Sequence, residues 1–199
     1  HITFDHAQLV RSNLGGLGGK CEANSSLCLD GATNASTPHE ILIRNVGRTS
    51  AIDLRIHNIS EYRAPNAYKT NGVHGNFGQL NVGYGSTVWL LFEFLKPGSN
   101  TPVELEHSAW SFYDLDTGNQ DPECSELVEI DSADQPFSYS LAEVPEVHVE
   151  VEGSTTWFVS EMIGDSDDNP TSPSELTDQQ ESRTVQVSLG KTSEFVLSL

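Results

Sequence analysis

The chain has 199 residues, of which 10 are Lys or Arg and 29 are Asp or Glu, so its formal charge is −19 with the seven histidines neutral. A surface this acidic repels phosphate backbones and anionic membranes, so we expect no nucleic acid among its partners. No stretch approaches the roughly 18 consecutive apolar residues of a membrane-spanning helix, and the N-terminus lacks a basic-then-apolar signal pattern. We therefore expect a soluble, already processed chain with no membrane insertion and a single domain over residues 1–199.

The first ten residues predict a short amphipathic strand. Ile2, Phe4 and, less regularly, Leu9 alternate with polar residues, and no hairpin partner follows. The next segment is SNLGGLGG at residues 12–19, whose glycines give a flexible tether but do not have the spacing of a phosphate-binding loop. An amphipathic strand on such a tether can pair with its own sheet edge or with that of a neighbouring copy, and the sequence leaves both open.

Residues 11–38 predict a Gly-rich, Cys-bearing, glycosylated loop. Asn24, Asn34 and Asn58 each begin an Asn-X-Ser sequon without proline, which is typical of a secreted glycoprotein. The number of cysteines is odd, so we expect Cys21 and Cys28 to close a small disulfide loop. Cys124 then remains as a free thiol or an intermolecular partner, and pairing of Cys124 across the fold is the alternative because spacing does not settle connectivity.

The rest of the chain is a succession of short apolar-polar alternations separated by turn residues, with no helical period over a full helix length. Turn signals recur roughly every ten residues, which predicts an all-β fold, a two-sheet antiparallel β-sandwich of Greek-key or jelly-roll type. Residues 62–78 form a long excursion, and residues 164–182 form an acidic loop outside the core. The predicted strands are 40–46, 51–58, 79–82, 86–95, 103–113, 126–130, 137–141, 147–151, 156–162, 184–189 and 194–197.

Carboxylates follow the central predicted strand, 103–113, where the chain must turn. Asp114 and Asp116, with Asp121 and Glu123, could supply oxygens to a calcium ion, which takes six to eight oxygen ligands. The alternative is that they cap turn amides and add solubility. Residues 165–169 begin like an EF-hand loop, but Pro170 stands in place of the required glycine, so that match fails.

Two other sites have a weaker pattern. An N-terminal His1 could chelate copper with a second histidine, His6, His74 or His107, as in lytic polysaccharide monooxygenases, which are β-sandwiches.

Exposed tyrosines could instead stack on sugar rings. The sequence contains no Gly-X-Ser-X-Gly motif, so it gives no indication of a hydrolase. The tyrosines concerned are Tyr62, Tyr68 and Tyr84.

Five short motifs follow one another along the chain: SNLGG at 12–16, GQLN at 78–81, GST at 85–87, FEF at 92–94 and WSFYDLD at 110–116. In this order they resemble β-sandwich domains of secreted and cell-surface proteins of aquatic microbial eukaryotes, algae and other protists. The resemblance covers about residues 4–130 and implies an extracellular, non-enzymatic, structural or adhesive role, with some such proteins in fibrous surface appendages. It does not require a histidine at position 1.

Three functions follow as hypotheses. The first is a glycosylated structural subunit, with no catalytic residue, that assembles with copies of itself by head-to-tail donation of the strand containing Ile2, Phe4 and Leu9. The second is a calcium-dependent carbohydrate-binding or adhesion module. The third is a copper-dependent monooxygenase-like protein built on His1.

Overall fold

The computed structural model describes residues 2–17, 38–47, 52–65, 71–117, 125–133, 135–164 and 169–199. These residues form antiparallel sheets with a single α-helix, α1 (Asp178–Ser182), so the prediction of an all-β antiparallel fold is confirmed. No helix in this part of the chain is long and apolar enough to cross a membrane. The strands are β1 (Gln8–Ser12), β2 (Ile41–Val46), β3 (Ile52–Asn58), β4 (Gly72–His74), β5 (Phe77–Gln79), β6 (Trp89–Leu95), β7 (Ser108–Phe112), β8 (Leu127–Asp131), β9 (Phe137–Ser140), β10 (Val147–Glu152), β11 (Thr155–Ser160), β12 (Val185–Leu189) and β13 (Glu194–Ser198).

The chain divides into two compact units. Unit 1 contains His1–Leu105 and Thr192–Val196, and unit 2 contains Glu106–Lys191 and Leu197–Leu199. The last strand, β13, contributes its first residues to unit 1 and its last residues to unit 2. A single domain over the whole chain stays a prediction.

Unit 1 is built on the strand order β1-β2-β3-β6-β13. Alternate residues of β2, β3 and β6 point to one face because the side-chain period of a strand is two. Phe195 of β13 joins that face and stacks on Phe92 with a centroid distance of 4.6 Å and an interplanar angle of 14°. The fully or almost fully buried members of this core are Ile41, Ile43, Leu54, Ile56, Leu90, Phe92 and Phe94.

The hairpin of β4 and β5 belongs to unit 1 and was not predicted. We expected a strand at 79–82, and this is wrong: β5 ends at Gln79 and pairs with β4, while β6 pairs with β3 over Asp53–Asn58. Three-residue strands are too short for an alternation pattern to reveal them.

Unit 2 has two layers. The strand order β8-β11-β10, with the end of β13 beside β8, forms one layer, and a three-stranded sheet in the order β7-β12-β9 forms the other. Tyr139 of β9 packs edge-on against the buried ring of Phe158 in β11, with 5.0 Å between centroids and 75° between planes. Such edge-to-face packing of aromatic rings is favourable beyond the apolar area it buries, so this contact ties the two sheets together.

Helix α1 lies in the segment predicted as an acidic loop. Thr177 caps it: its hydroxyl accepts a hydrogen bond from Gln180 N–H at 3.2 Å, and the Gln180 side chain accepts one from Thr177 N–H at 3.1 Å. This reciprocal capping box, readable as Thr-X-X-Gln at 177–180, marks the start of the helix. The buried Arg183 follows it and donates to Glu146 at 2.8 Å.

Candidate assembly site

The first candidate site is the N-terminal segment, residues 2–12, and the surface it occupies. The predicted strand 1–10 is corrected: the strand begins at Gln8 and runs to Ser12. Residues 5 and 6 form a turn in which Ala7 N–H donates to Phe4 O at 3.0 Å, and this turn ends any extended run from Ile2. Ile2 and Phe4 therefore lie in an irregular lead-in, while Leu9 lies in β1.

β1 pairs antiparallel with β2 at one end of the strand order, within the same chain. The register shifts between Leu9 and Arg11, so Val10 forms a bulge in the strand. Thr3 O also accepts a hydrogen bond from Gly47 N–H at 3.0 Å, just beyond the end of β2. The segment thus follows the edge of β2 along its length.

Two apolar side chains of the segment sit on glycines of the β4–β5 hairpin. A Cβ placed on Gly72 would lie 2.7 Å from Leu9 Cδ2, and one placed on Gly78 would lie 2.9 Å from Phe4 Cζ. Gly72 also has φ +134°, a conformation that side chains with a Cβ rarely adopt. We call Gly72 and Gly78 the glycine sockets, because each leaves the room that one N-terminal side chain fills.

The residues just after the segment are held firmly to unit 1. Asn13 N–H donates to Glu40 O at 2.9 Å and the Asn13 side chain donates to Pro38 O at 3.0 Å. Gly15 N–H donates to Asn58 Oδ1 at 3.1 Å, and the Tyr62 ring lies against Gly15. The chain is therefore anchored at residues 13–15, directly beyond β1.

Asn58 and Tyr62 are used inside the fold. The Asn58 amide nitrogen donates to Ser60 O at 2.8 Å while its oxygen accepts from Gly15. Tyr62 Oη donates to Asn81 O at 2.7 Å and accepts from Asn71 Nδ2 at 2.7 Å, and burial raises the pKa of the Tyr62 hydroxyl. Glycosylation of Asn58 stays a prediction, and Tyr62 is half-buried and engaged rather than an open platform for a sugar ring.

The other predicted site residues divide between described and undescribed parts of the chain. Tyr84 is exposed, as are His6, His74 and His107. No three His, Cys, Asp or Glu side chains of the described ranges lie close enough together to hold a metal ion. The remaining predicted positions lie outside the described residues: His1, Cys21, Asn24, Cys28, Asn34, Tyr68, Asp121, Glu123 and Cys124.

Asp114 and Asp116 are built into unit 2 rather than placed on a free turn. Asp114 has φ +63°, and the Asp116 carboxylate lies directly against Gly164, in the space a Cβ would fill. Asp116 O accepts hydrogen bonds from Glu126 N–H at 3.0 Å and from Ser160 Oγ at 2.7 Å. Of the four predicted calcium ligands, Asp116 is thus placed beside Gly164, and calcium binding stays a prediction.

Charge is distributed very unevenly between the two units. The net charge of the whole chain does not reveal this difference. Unit 1 carries eight Lys or Arg and nine Asp or Glu, a formal charge of −1. Unit 2 carries two basic and twenty acidic residues, a formal charge of −18. The two values together give the −19 of the whole chain.

Many charges of unit 1 face each other across its sheet. Arg55 of β3 lies opposite Glu93 of β6 and donates to both carboxylate oxygens, at 2.7 and 2.9 Å. The hydrogen bond from Arg55 holds the pKa of Glu93 below its usual value near 4.5, with a further contribution from nearby His57. Arg11 of β1 likewise pairs with Glu40. These two arginines of unit 1 are therefore each paired with a carboxylate.

Comparison with known proteins gives a structural likeness at low identity. No protein-family model matches the chain, and no curated protein matches it. Among solved structures, the adhesin domain of PrgB from Enterococcus faecalis bound to DNA matches at 13% sequence identity and a TM-score of 0.44. The match covers 80% of this chain and 59% of that one, so the chain spans less than two thirds of that structure's length.

That structure contains DNA, and this contradicts our expectation that nucleic acid is excluded as a partner. Repulsion of a nucleic acid depends on the local electrostatic potential and not on the sum of the charges over the chain, so the net charge does not justify the exclusion. Unit 1 is almost neutral and carries eight of the ten basic residues. We withdraw the exclusion.

Proposed function

We propose that this chain is a non-enzymatic structural subunit of an extracellular assembly, and that residues 2–12 are the strand that one copy donates to the next. The observation that carries the proposal is the position of β1, which is the first strand along the chain and lies at one end of the strand order. Moving such a strand breaks its pairing with β2 and its contacts with the β4–β5 hairpin, while every other strand keeps its neighbours.

The surface left behind is a groove with the shape of the donated segment. The edge of β2 offers backbone hydrogen bonds, and the glycine sockets offer the places that Leu9 and Phe4 fill. A segment from a neighbouring copy makes the same contacts, so exchange between copies changes the enthalpy little. Backbone pairing and alternate side-chain pockets are also how donated strands are recognised in known strand-addition assemblies.

The anchor at residues 13–15 defines where the segment would swing. Eleven residues in extended conformation span about 36 Å, enough to reach a neighbouring molecule without unfolding the body. Donor segment and acceptor groove are different surfaces, so donation from each copy to the next gives an open filament. Sequons at Asn24, Asn34 and Asn58 support an extracellular setting for this filament.

Deletion of residues 1–12, which leaves a chain that begins at Asn13, tests the proposal. We expect the full chain to form concentration-dependent chains in sedimentation velocity and electron microscopy. The truncated protein should stay monomeric and capture one equivalent of a peptide spanning residues 1–12.

A peptide with Phe4→Ser and Leu9→Ser is the matched control, because it keeps the backbone but cannot fill the sockets. The proposal fails if the truncated protein still forms filaments, or if the full-length protein stays monomeric at high concentration.

A further inference from the structure

β10 is a regular edge strand that lacks three of the devices that commonly block an edge. It pairs with β11 over six consecutive residue pairs with no register shift, and no strand of the described residues pairs with its other side. Natural edges are commonly blocked by a bulge, a proline or a lysine. The sequence of β10 is VHVEVE and contains none of these.

One backbone hydrogen bond from outside the β10–β11 hairpin reaches the residue just before β10. Glu146 N–H donates to Ser182 O at 2.8 Å, which closes the edge at the residue before β10. Exposure rises along the three valines, from the buried Val147 through the half-buried Val149 to Val151, which is 64% exposed, and His148, Glu150 and Glu152 are all exposed. No strand of the described residues pairs with the outer edge.

Side chains along β10 alternate in chemistry. Val147, Val149 and Val151 share one face, while His148, Glu150 and Glu152 share the other. His148 lies 3.6 Å from Glu150 and 3.9 Å from Glu161 of the segment after β11. A strand added at this edge would meet valines on one face and carboxylates on the other.

The field around this edge is strongly negative. Unit 2 has a formal charge of −18, and its two cations are already close to carboxylates: Arg183 to Glu146 at 2.8 Å and Lys191 to Glu106 at 3.4 Å. A surface of one sign attracts partners of the opposite sign and repels copies of itself.

We propose that the β10 edge binds an extended cationic segment of a partner protein, in which Lys or Arg alternate with apolar residues. Strand addition supplies main-chain hydrogen bonds, and the alternation places cations beside Glu150 and Glu152 and apolar side chains beside Val149 and Val151. A second copy pairing through β10 would bring two acidic units together. The chain's own N-terminal segment does not fit either, because Asp5 and Arg11 leave it without net charge when its histidines are neutral.

The test uses a fluorescent ten-residue peptide of alternating Lys and Val, titrated with the full chain by anisotropy at low and moderate salt. We expect binding that weakens with salt, and about tenfold or greater weakening by Val151→Lys, which puts a cation on the edge without disturbing a buried contact. Ile59→Lys is the matched control: it adds the same charge at an exposed position of unit 1 and should leave binding unchanged.

A second peptide, with proline in place of two central valines, keeps the positive charge but cannot complete a backbone ladder. It should bind at least about tenfold more weakly, and hydrogen exchange should slow in β10 only with the alternating peptide. Equal binding of the two peptides, equal effects of Val151→Lys and Ile59→Lys, or no binding at all would each overturn the proposal. The protein truncated at Asn13 should bind the alternating peptide normally, so this result is separate from that of strand donation.

Discussion

β1 and β10 both end a strand order, yet they are very different edges. β1 is bulged at Val10, and the side chains of its segment are set into two glycines of the β4–β5 hairpin. β10 has an unbroken register with β11, and its valines become exposed towards Glu152. The β1 edge is characterised by close packing of side chains, and the β10 edge is characterised by negative charge.

The difference suggests two ways to limit pairing at an edge strand: close packing of side chains, or a charge that repels like-charged partners. The glycine sockets leave room for the side chains of Leu9 and Phe4, so this edge is complementary to a segment that carries them. Charge excludes copies of the same acidic unit but attracts cations. The two edges are therefore suited to different partners, and the predictions below test each side of the contrast.

The largest effect is expected for Gly72→Ala. The new Cβ would meet Leu9 at 2.7 Å, and φ +134° is strained for alanine, so we expect a loss of about 3 kcal/mol in the free energy of unfolding of unit 1. Gly75→Ala in the same hairpin is the control: φ is +57°, nothing lies within 4 Å, and the cost should be about 1 kcal/mol. Urea titration measures both, and equal losses would show that the Leu9 contact contributes nothing.

Calcium tests whether the acidic unit holds a specific cation as well as a diffuse negative field. If Asp114 and Asp116 contribute to a site that exists only in the folded state, calcium at a hundredfold excess over its Kd stabilises unit 2 by about 2.7 kcal/mol. Asp114→Asn should abolish this gain, and hydrogen exchange in unit 1 should not respond. Identical melting curves in calcium and in chelator would leave the carboxylates as turn-capping groups.

The smallest of these effects is expected for the Arg55–Glu93 pair of unit 1. Glu93→Gln removes a charge-assisted, partly buried pair and should cost about 2 kcal/mol at pH 7. Because the pKa of Glu93 is lowered in the folded state, the pair stabilises fully above its usual value near 4.5, and this contribution is lost as pH falls below it.

The difference in the free energy of unfolding between wild type and Glu93→Gln should therefore shrink as the pH falls below 4.5 and through the lowered pKa of Glu93. Unfolding curves at pH 7 and pH 3 measure it. Glu106→Gln, at an exposed ion pair with Lys191, is the control and should change stability little at either pH. A Glu93→Gln loss that persists at pH 3 would mean that packing, not charge, is its cause.

Much of the strand content was predictable from local pattern. The run at 52–58 alternates apolar and polar residues, the run at 41–46 begins with three apolar residues, and the run WLLFEFL of β6 is apolar on both faces apart from Glu93. The candidate site was predicted less well: Ile2, Phe4 and Leu9 were proposed as the apolar side chains of a donated strand, but the glycines that Phe4 and Leu9 contact were not predicted. Gly72 and Gly78 have no side chain, so no alternation marks them as sockets.

The sequence by itself determined the strand-forming segments, the sequons and the total charge, because each depends on residues close together in the chain. Only the tertiary structure decided which strands end a sheet, because β13, the last strand, enters beside β6 and so sets the neighbours of strands far from it in sequence. It also decided how the charge divides, since the boundary between the units follows long-range contacts. Pairing partners of a strand are fixed by the burial of whole faces, and that information is spread over the entire chain.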